Sequence, residues 1–289
     1  MIKTIVVPST GHDADTPAFA VAATVAQLFG AHIDAVHVKI DPVEVAVAMS
    51  TEGAGGTLLQ GIIDDLTQEA DEAEATAQAT FTQFFTKAEV SLAPNAGERP
   101  SQASAQFHVE TGQAAAWLTT YGLTSDLTIA SRGLADRAAA QRSILEALLL
   151  ETGRPLLIPG PAVPTRDFAD CVTVAWKPVP QAARAVATAM PFLAHAREVC
   201  IVTVDEDGDA RERAQPLVDY LGWHGIKATV ERLSPGAEGA SATMLKAASA
   251  KGGLLVMGGY GHTRLREWVF GGFTQLVLEG AQIPVLMAH

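Results

Sequence analysis

The same series of short apolar runs and helical stretches is written twice along this chain. In residues 1–160, apolar runs at 2–7, 33–38, 105–109, 127–130 and 156–158 alternate with helical stretches at 15–29, 58–87, 113–121 and 137–151. In residues 161–289, runs at 171–175, 199–204, 227–231, 254–257 and 284–287 alternate with helical stretches at 180–195, 210–223, 238–250 and 274–279. Strands that alternate with helices in this way form a parallel sheet, joined by right-handed crossovers with helices on both faces. The halves also match in detail, since Gly153-Arg154-Pro155-Leu156-Leu157-Ile158 answers Ala281-Gln282-Ile283-Pro284-Val285-Leu286. The expectation is a duplication: two tandem five-stranded α/β domains, 1–160 and 161–289. The proline-rich run 159–164 joins them, because three prolines cannot continue a sheet interior. Pro191 is expected to kink or break the helix it falls in.

Composition supports two cores. Of 289 residues, 48% are hydrophobic and 18% charged, a globular balance. No run resembles a membrane span of about 20 apolar residues. Residues 1–8 read directly as a first strand and are too short for an export signal, so the expectation is a cytoplasmic protein with no membrane partner. Cys171 and Cys200 each fall in apolar runs, which points to buried free thiols rather than a disulfide. The net charge of −12 argues against nucleic acid as a partner, which needs a basic face. Most of that charge lies early: residues 1–160 hold 8 Lys and Arg against 19 Asp and Glu, and residues 161–289 hold 12 against 13. An anionic ligand meets less repulsion in the second half. The acidic run 69–74 reads as a solvated helix face.

The most pointed stretch is 253–274. The apolar run Leu254 to Met257 stops at Gly258-Gly259-Tyr260-Gly261, and a second pair, Gly271-Gly272, precedes the next helix. Glycines at a strand end leave main-chain N–H groups uncovered, and a helix N-terminus adds the positive end of its dipole. Two readings stand: tight turns that let helix and sheet pack closely, or a cradle for a phosphate-bearing ligand. In an open parallel sheet, ligands sit beyond the carboxyl ends of the strands where the strand order reverses.

The spacing Gly258-x2-Gly261-x9-Gly271, with Thr274 and the closing run 283–286, resembles the nucleotide loop of the universal stress protein family. That resemblance implies strand order 3-2-1-4-5 in each domain and two domains that pair much as single-domain members dimerise, with a homodimer as a further form. It implies an adenine nucleotide as ligand: ATP, with Mg. Ala175 and Val204 would border the base, and Gly258, Gly261, Gly271, Gly272 and Thr274 would surround ribose and phosphates. Two departures weaken the match. Gly272 stands where ATP-binding members carry Ser or Thr, and Trp176-Lys177-Pro178 replaces the usual acidic residue after the first strand. A lost hydrogen bond to a charged group is worth roughly 1.5–3 kcal/mol, so binding is weakened about ten- to a hundredfold. Trp176 either stacks on a base or caps the sheet core.

The first half carries Ala130-Ser131-Arg132-Gly133 at the matching place and Gln141-Arg142-Ser143 before its last helix. Arg142 is expected to crowd a cradle there, leaving a vestigial site. No GxxxxGK[ST], complete GxGxxG, HExxH or GxSxG sequence occurs. His32 and His37 are five apart on one strand and face opposite sides, so they cannot chelate a metal together. The leading expectation is a non-enzymatic stress-response protein that binds ATP in its second domain. A nucleotide-independent scaffold and an enzyme with an added motif are the alternatives.

Overall fold

The computed structural model describes residues 1–12, 15–49, 56–93, 102–132, 138–162, 167–205, 210–259 and 272–289. Two compact units divide the chain, Ile2–Leu148 and Leu149–His289.

The first unit runs β1 (Thr4–Pro8), α1 (Asp15–Phe29), β2 (His32–Lys39), α2 (Pro42–Met49), α3 (Gly56–Lys87), β3 (Ser91–Leu92), β4 (Ser104–Thr111), α4 (Ala114–Leu123) and β5 (Leu127–Ile129), with α5 (Ala138–Glu151) crossing into the second. Its strands are parallel in the order β3-β4-β2-β1-β5. Ile5, Val6 and Val7 are successive yet all buried, as a strand covered on both faces requires. The helix α2 is started by Asp41. Its Oδ1 accepts the amides of Val43 and Glu44 at 2.9 and 3.2 Å, with Pro42 in the first helical position.

The long helix α3 is held by its C-terminal half. Ala70, Ala77, Phe81 and Phe85 are buried, and Phe85 meets Phe19 of α1 at 5.1 Å and Phe81 at 4.9 Å between ring centroids. In its N-terminal half the apolar residues Ile62, Ile63 and Leu66 are only half-buried. The acidic run is largely solvated, with Lys39 reaching Asp71 and Glu74 at 2.6 and 2.8 Å.

The second unit runs β6 (Leu156–Ile158), β7 (Cys171–Ala175), α6 (Pro180–His195), β8 (Glu198–Val204), α7 (Ala210–Trp223), β9 (Ala228–Leu233), α8 (Gly239–Lys251), β10 (Leu254–Gly258), α9 (Gly272–Gly280) and β11 (Val285–Ala288). Its sheet order is β6-β11-β10-β7-β8-β9. The stretch β9-β8-β7-β10-β11 is the expected 3-2-1-4-5, and β4-β2-β1-β5 repeats its first four places. The run at 156–158, expected as the first domain's fifth strand, is β6; it falls in the second unit and pairs antiparallel with β11 through Ile158 and Val285. The helix α6 is not broken by Pro191 but continues to His195. The proline removes one i to i−4 bond, to the carbonyl of Ala187, without ending the helix. Cys171 and Cys200 are free thiols, Cys200 buried as expected and Cys171 only half-buried.

Candidate functional site

In the second unit the strand order reverses between β7 and β10. Val174 pairs with Val256 and Ala175 with Val202, so Ala175, Gly258 and Val204 end at one edge of the sheet. A crossover helix runs antiparallel to the strands it joins. The first turns of α6 and α9 therefore point at this same edge, and α9 opens on Gly272 with Thr274 buried two residues on. Gly261 and Gly271 lie outside the described residues. Ala175 is small and buried, Val204 is apolar and half-buried, and Gly272 puts no side chain over the first-turn amides of α9. That set fits the flat base and the phosphates of an adenine nucleotide, with main-chain N–H groups as donors.

Two residues have a packing role that needs no ligand. A Cβ on Gly258 would stand 2.7 Å from backbone atoms of both Gln181 and Ala182 in α6, so this glycine lets helix and strand approach. Trp176 donates its indole N–H to the carbonyl of Arg213 at 3.0 Å. The ring lies against α7, the capping role rather than the stacking one. Lys177 is exposed.

The first unit ends its strands differently. Val6 pairs with Thr128, and extending that register sets Ser9, just past β1, beside Ser131, just past β5. The Ser9 amide donates to the Val36 carbonyl at 2.9 Å, and its carbonyl accepts the His37 Nδ1–H at 2.8 Å. Gln141 donates to the Ser131 carbonyl at 2.7 Å. The backbone is thus pinned on both strands. Next to it, the Asp15 carboxylate accepts the amides of Thr10 and Gly11 at 2.6 and 2.8 Å and the Thr10 hydroxyl at 2.8 Å. Burial raises its pKa, against the pull of those bonds. A Cβ on Gly11 would stand 2.9 Å from the backbone of Ala77, so α3 closes tightly over this turn.

Arg142, the residue expected to crowd this edge, is exposed, as is Ser143. The basic group held inside is Arg132. Its Nε and Nη2 are out of reach of water and have no hydrogen-bond partner among the described residues. Burial alone pulls its pKa down to about 10, so the guanidinium stays charged at neutral pH. In the sequence Arg132 stands three residues past β5, with no charged residue of opposite sign within five positions before it to mark it as buried.

A second polar cluster also escaped the sequence reading. Asp34 on β2 accepts from His108 on β4 at 2.8 Å and lies 3.4 Å from His32, while His32 bonds Ser104 at 2.8 Å. Burial works against the Asp34 carboxylate, but the two histidines prevail and hold its pKa down at about 2. These residues sit two apart on one strand or across the β2–β4 pair, so they share a face that single-strand spacing does not reveal. His37 bonds elsewhere, as its opposite parity requires. Among the described residues, no His, Cys, Asp and Glu group could hold a metal, and no helix is long and apolar enough to cross a membrane.

No known family model and no curated protein matches this chain. Solved structures do. A universal stress protein from Archaeoglobus fulgidus superposes with a TM-score of 0.71 at 16% identity, over 99% of this chain and 95% of that one. A putative universal stress protein from Pseudomonas aeruginosa gives 0.57 at 12% identity, over 99% and 93%. The cytoplasmic domain of a prokaryotic cation chloride cotransporter gives 0.52 at 8% identity, over 99% and 95%. Such identities speak for the fold: the chain has the universal stress protein fold, built twice in tandem.

Proposed function

We propose that this chain is a tandem universal stress protein whose second domain binds an adenine nucleotide, ATP in the first instance, and acts through that binding rather than through turnover. The observation that carries the reading is the reversal of strand order between β7 and β10. There β10 ends on Gly258-Gly259 and α9 opens on Gly272, leaving an edge edged by backbone. Ala175 and Val204 border the base, and Gly258, Gly272 and Thr274 face ribose and phosphates. None of these five is a general base or a metal-binding carboxylate, which phosphoryl transfer to water needs. The protein acts in the cytoplasm, and magnesium accompanies the phosphates as their counter-ion.

Calorimetry of the full chain with ATP, ADP and AMP tests this. The expected result is saturable binding that Gly261→Val removes and that Gly272→Ser tightens about ten- to a hundredfold, because the added hydroxyl gives the anion a hydrogen bond. Absence of heat with all three nucleotides overturns the reading. So does an affinity that neither variant changes.

One alternative has an observation of its own. Gly258 is required by α6 and Trp176 is committed to α7, so part of the site's sequence is explained by packing. The same fold occurs in a transporter's cytoplasmic domain, and a fold alone does not assign a function. A nucleotide-independent scaffold that docks a partner or a second copy is what a silent titration would favour.

A further inference from the structure

We infer that the outer edge of β9 is a dimerisation surface, on which a second copy of this chain adds its own β9 antiparallel about a twofold axis at Val230. The strand β9 ends the second unit's sheet, and among the described residues no strand pairs with its outer side. Such an edge is a ready template for another strand, and proteins that keep it closed do so by shortness, charge, bulges or proline. The first unit follows that practice, since its terminal strand β3 has two residues. The edge strand β9 has six, with Thr229, Val230 and Arg232 exposed.

The backbone fixes which residues are on offer. The Asp205 amide donates to the Leu233 carbonyl at 2.8 Å, so Leu233 bonds toward β8, and by the alternation of a strand Glu231 and Thr229 do the same. Ala228, Val230 and Arg232 therefore turn their N–H and C=O groups outward. In an antiparallel pair, outward residues exchange bonds with outward residues, so a symmetric dimer must centre on a residue that faces its own copy. Centred on Val230, the pairing uses all three, with each Ala228 opposite the partner's Arg232. Centred on Glu231 or Arg232, it sets like charges directly opposite, which is destabilising. Centred on Thr229, it overlaps less of the strand.

Side chains beside the axis agree with this register. Glu231 reaches Lys251 of α8 at 2.7 Å. The helices α7 and α8 cross over in opposite directions along the sheet and so cover opposite faces. Val230 and Arg232, of opposite parity to Glu231, thus lie on the α7 side. The last turn of α7 carries Tyr220, exposed, and Trp223, 91% exposed. This helix runs antiparallel to β9, so that turn lies by Ala228, where the partner's Arg232 arrives. A guanidinium over an indole is a favourable contact, and tryptophan is a common anchor of interfaces. Arg232 is loosely held in the single copy, 3.8 Å from Asp205 with half its side chain exposed.

The test uses the full-length, nucleotide-free protein, so its outcome is separate from nucleotide binding. Sedimentation velocity over a concentration series should show a reversible monomer–dimer equilibrium, weak because two short strands make a small interface. Val230→Lys sets two ammonium groups opposite each other at the axis and should weaken dimerisation at least about tenfold. Val230→Glu should do the same. Mixing the two variants should restore the dimer, because each axis then holds one Lys and one Glu. A wild type that stays monomeric throughout overturns the inference, as does a dimer that Val230→Lys leaves intact. A mixture that does not dimerise overturns the axis at Val230. Should the variants fail to fold, amide hydrogen exchange of the wild type decides. Protection of Ala228, Val230 and Arg232 should rise with protein concentration, while Thr229, Glu231 and Leu233 are protected at every concentration. Protection of the outward amides that ignores concentration overturns the proposal.

Discussion

The two domains share a strand order but finish their strands with opposite materials. At the edge of β7 and β10 the chain ends in Ala175 and Gly258, and the donors on offer are main-chain amides. At the edge of β1 and β5 it ends in Ser9, Ser131 and Arg132, whose buried hydroxyls and guanidinium Nε and Nη2 have no hydrogen-bond partner among the described residues. Bare backbone leaves room for a large guest and binds it diffusely through helix termini. A guanidinium carries its charge on a planar fork of N–H donors instead. The lesson is that a duplicated scaffold can keep its strand order while exchanging the residues that finish its strands. The covering helices diverge too. The first domain clamps the 32-residue α3 with a cluster of phenylalanines, whereas α6 buries three alanines with Val186, Phe192 and Leu193 and approaches Gly258 of β10 closely at its start.

That difference in covering sets the largest expected effect. Phe85 is fully buried against Phe19, Phe81 and Phe84. Phe85→Ala should cost about 3–5 kcal/mol in the unfolding of the first domain, the range for emptying a phenylalanine site in a core. Urea denaturation followed by a probe in each domain reads it. A loss shared equally by both transitions would show that the domains unfold as one and break the comparison at its root.

The strand order was legible because burial on both faces writes parallel strands as unbroken apolar runs, and runs such as Leu254 to Met257 have no other use. The helix α2 was hidden, since Asp41-Pro42 opens a loop or a helix with the same residues and the outcome depends on whether Asp41 captures the amides of Val43 and Glu44. The second-domain edge was legible through its glycines. The first-domain edge was not, because its donors come from residues far apart in sequence, Ser9 and Ser131, and only the pairing of β1 with β5 sets them side by side. The antiparallel partnership of β6 with β11 was likewise out of reach: both strands read as apolar runs, and neither says which edge it will join.

Glycines sharpen the comparison next. A methyl on Gly258 meets backbone atoms of α6 at 2.7 Å, and backbone cannot move aside as a side chain does. Gly258→Ala should therefore destabilise the second domain by about 1–3 kcal/mol. In the first domain, Gly61 lies within α3 with open space around its Cβ position. There Gly61→Ala should stabilise by about 0.5–1 kcal/mol, through the lower entropy of the unfolded chain and better helix propensity. Thermal unfolding of both variants checks the pair. Equal effects would mean that the contact between α6 and β10 is looser than the distances indicate.

The smallest effect separates the polar clusters on the outer strand pairs. On β2 and β4, Asp34 is largely sheltered and held by His108 and His32, which keep its pKa at about 2 against an unperturbed 3.8. The folded state therefore binds this proton less readily than the unfolded chain. The resulting stability is fully present above about pH 4 and is lost as pH falls from there toward 2, and linkage sets its size on the order of 2 kcal/mol. Asp34→Asn removes that contribution at neutral pH, so its stability curve should approach wild type as acid is added. On β9, Glu231 faces Lys251 at 2.7 Å with both side chains more exposed, and Glu231→Gln should cost no more than about 1 kcal/mol, as solvent-screened pairs do. Denaturant midpoints measured from pH 7 down to pH 2 distinguish the two. If the Asp34→Asn and wild-type curves stay parallel through the acid range, the histidines do not hold the carboxylate. The first domain's outer pair would then be as weakly tied as the second's.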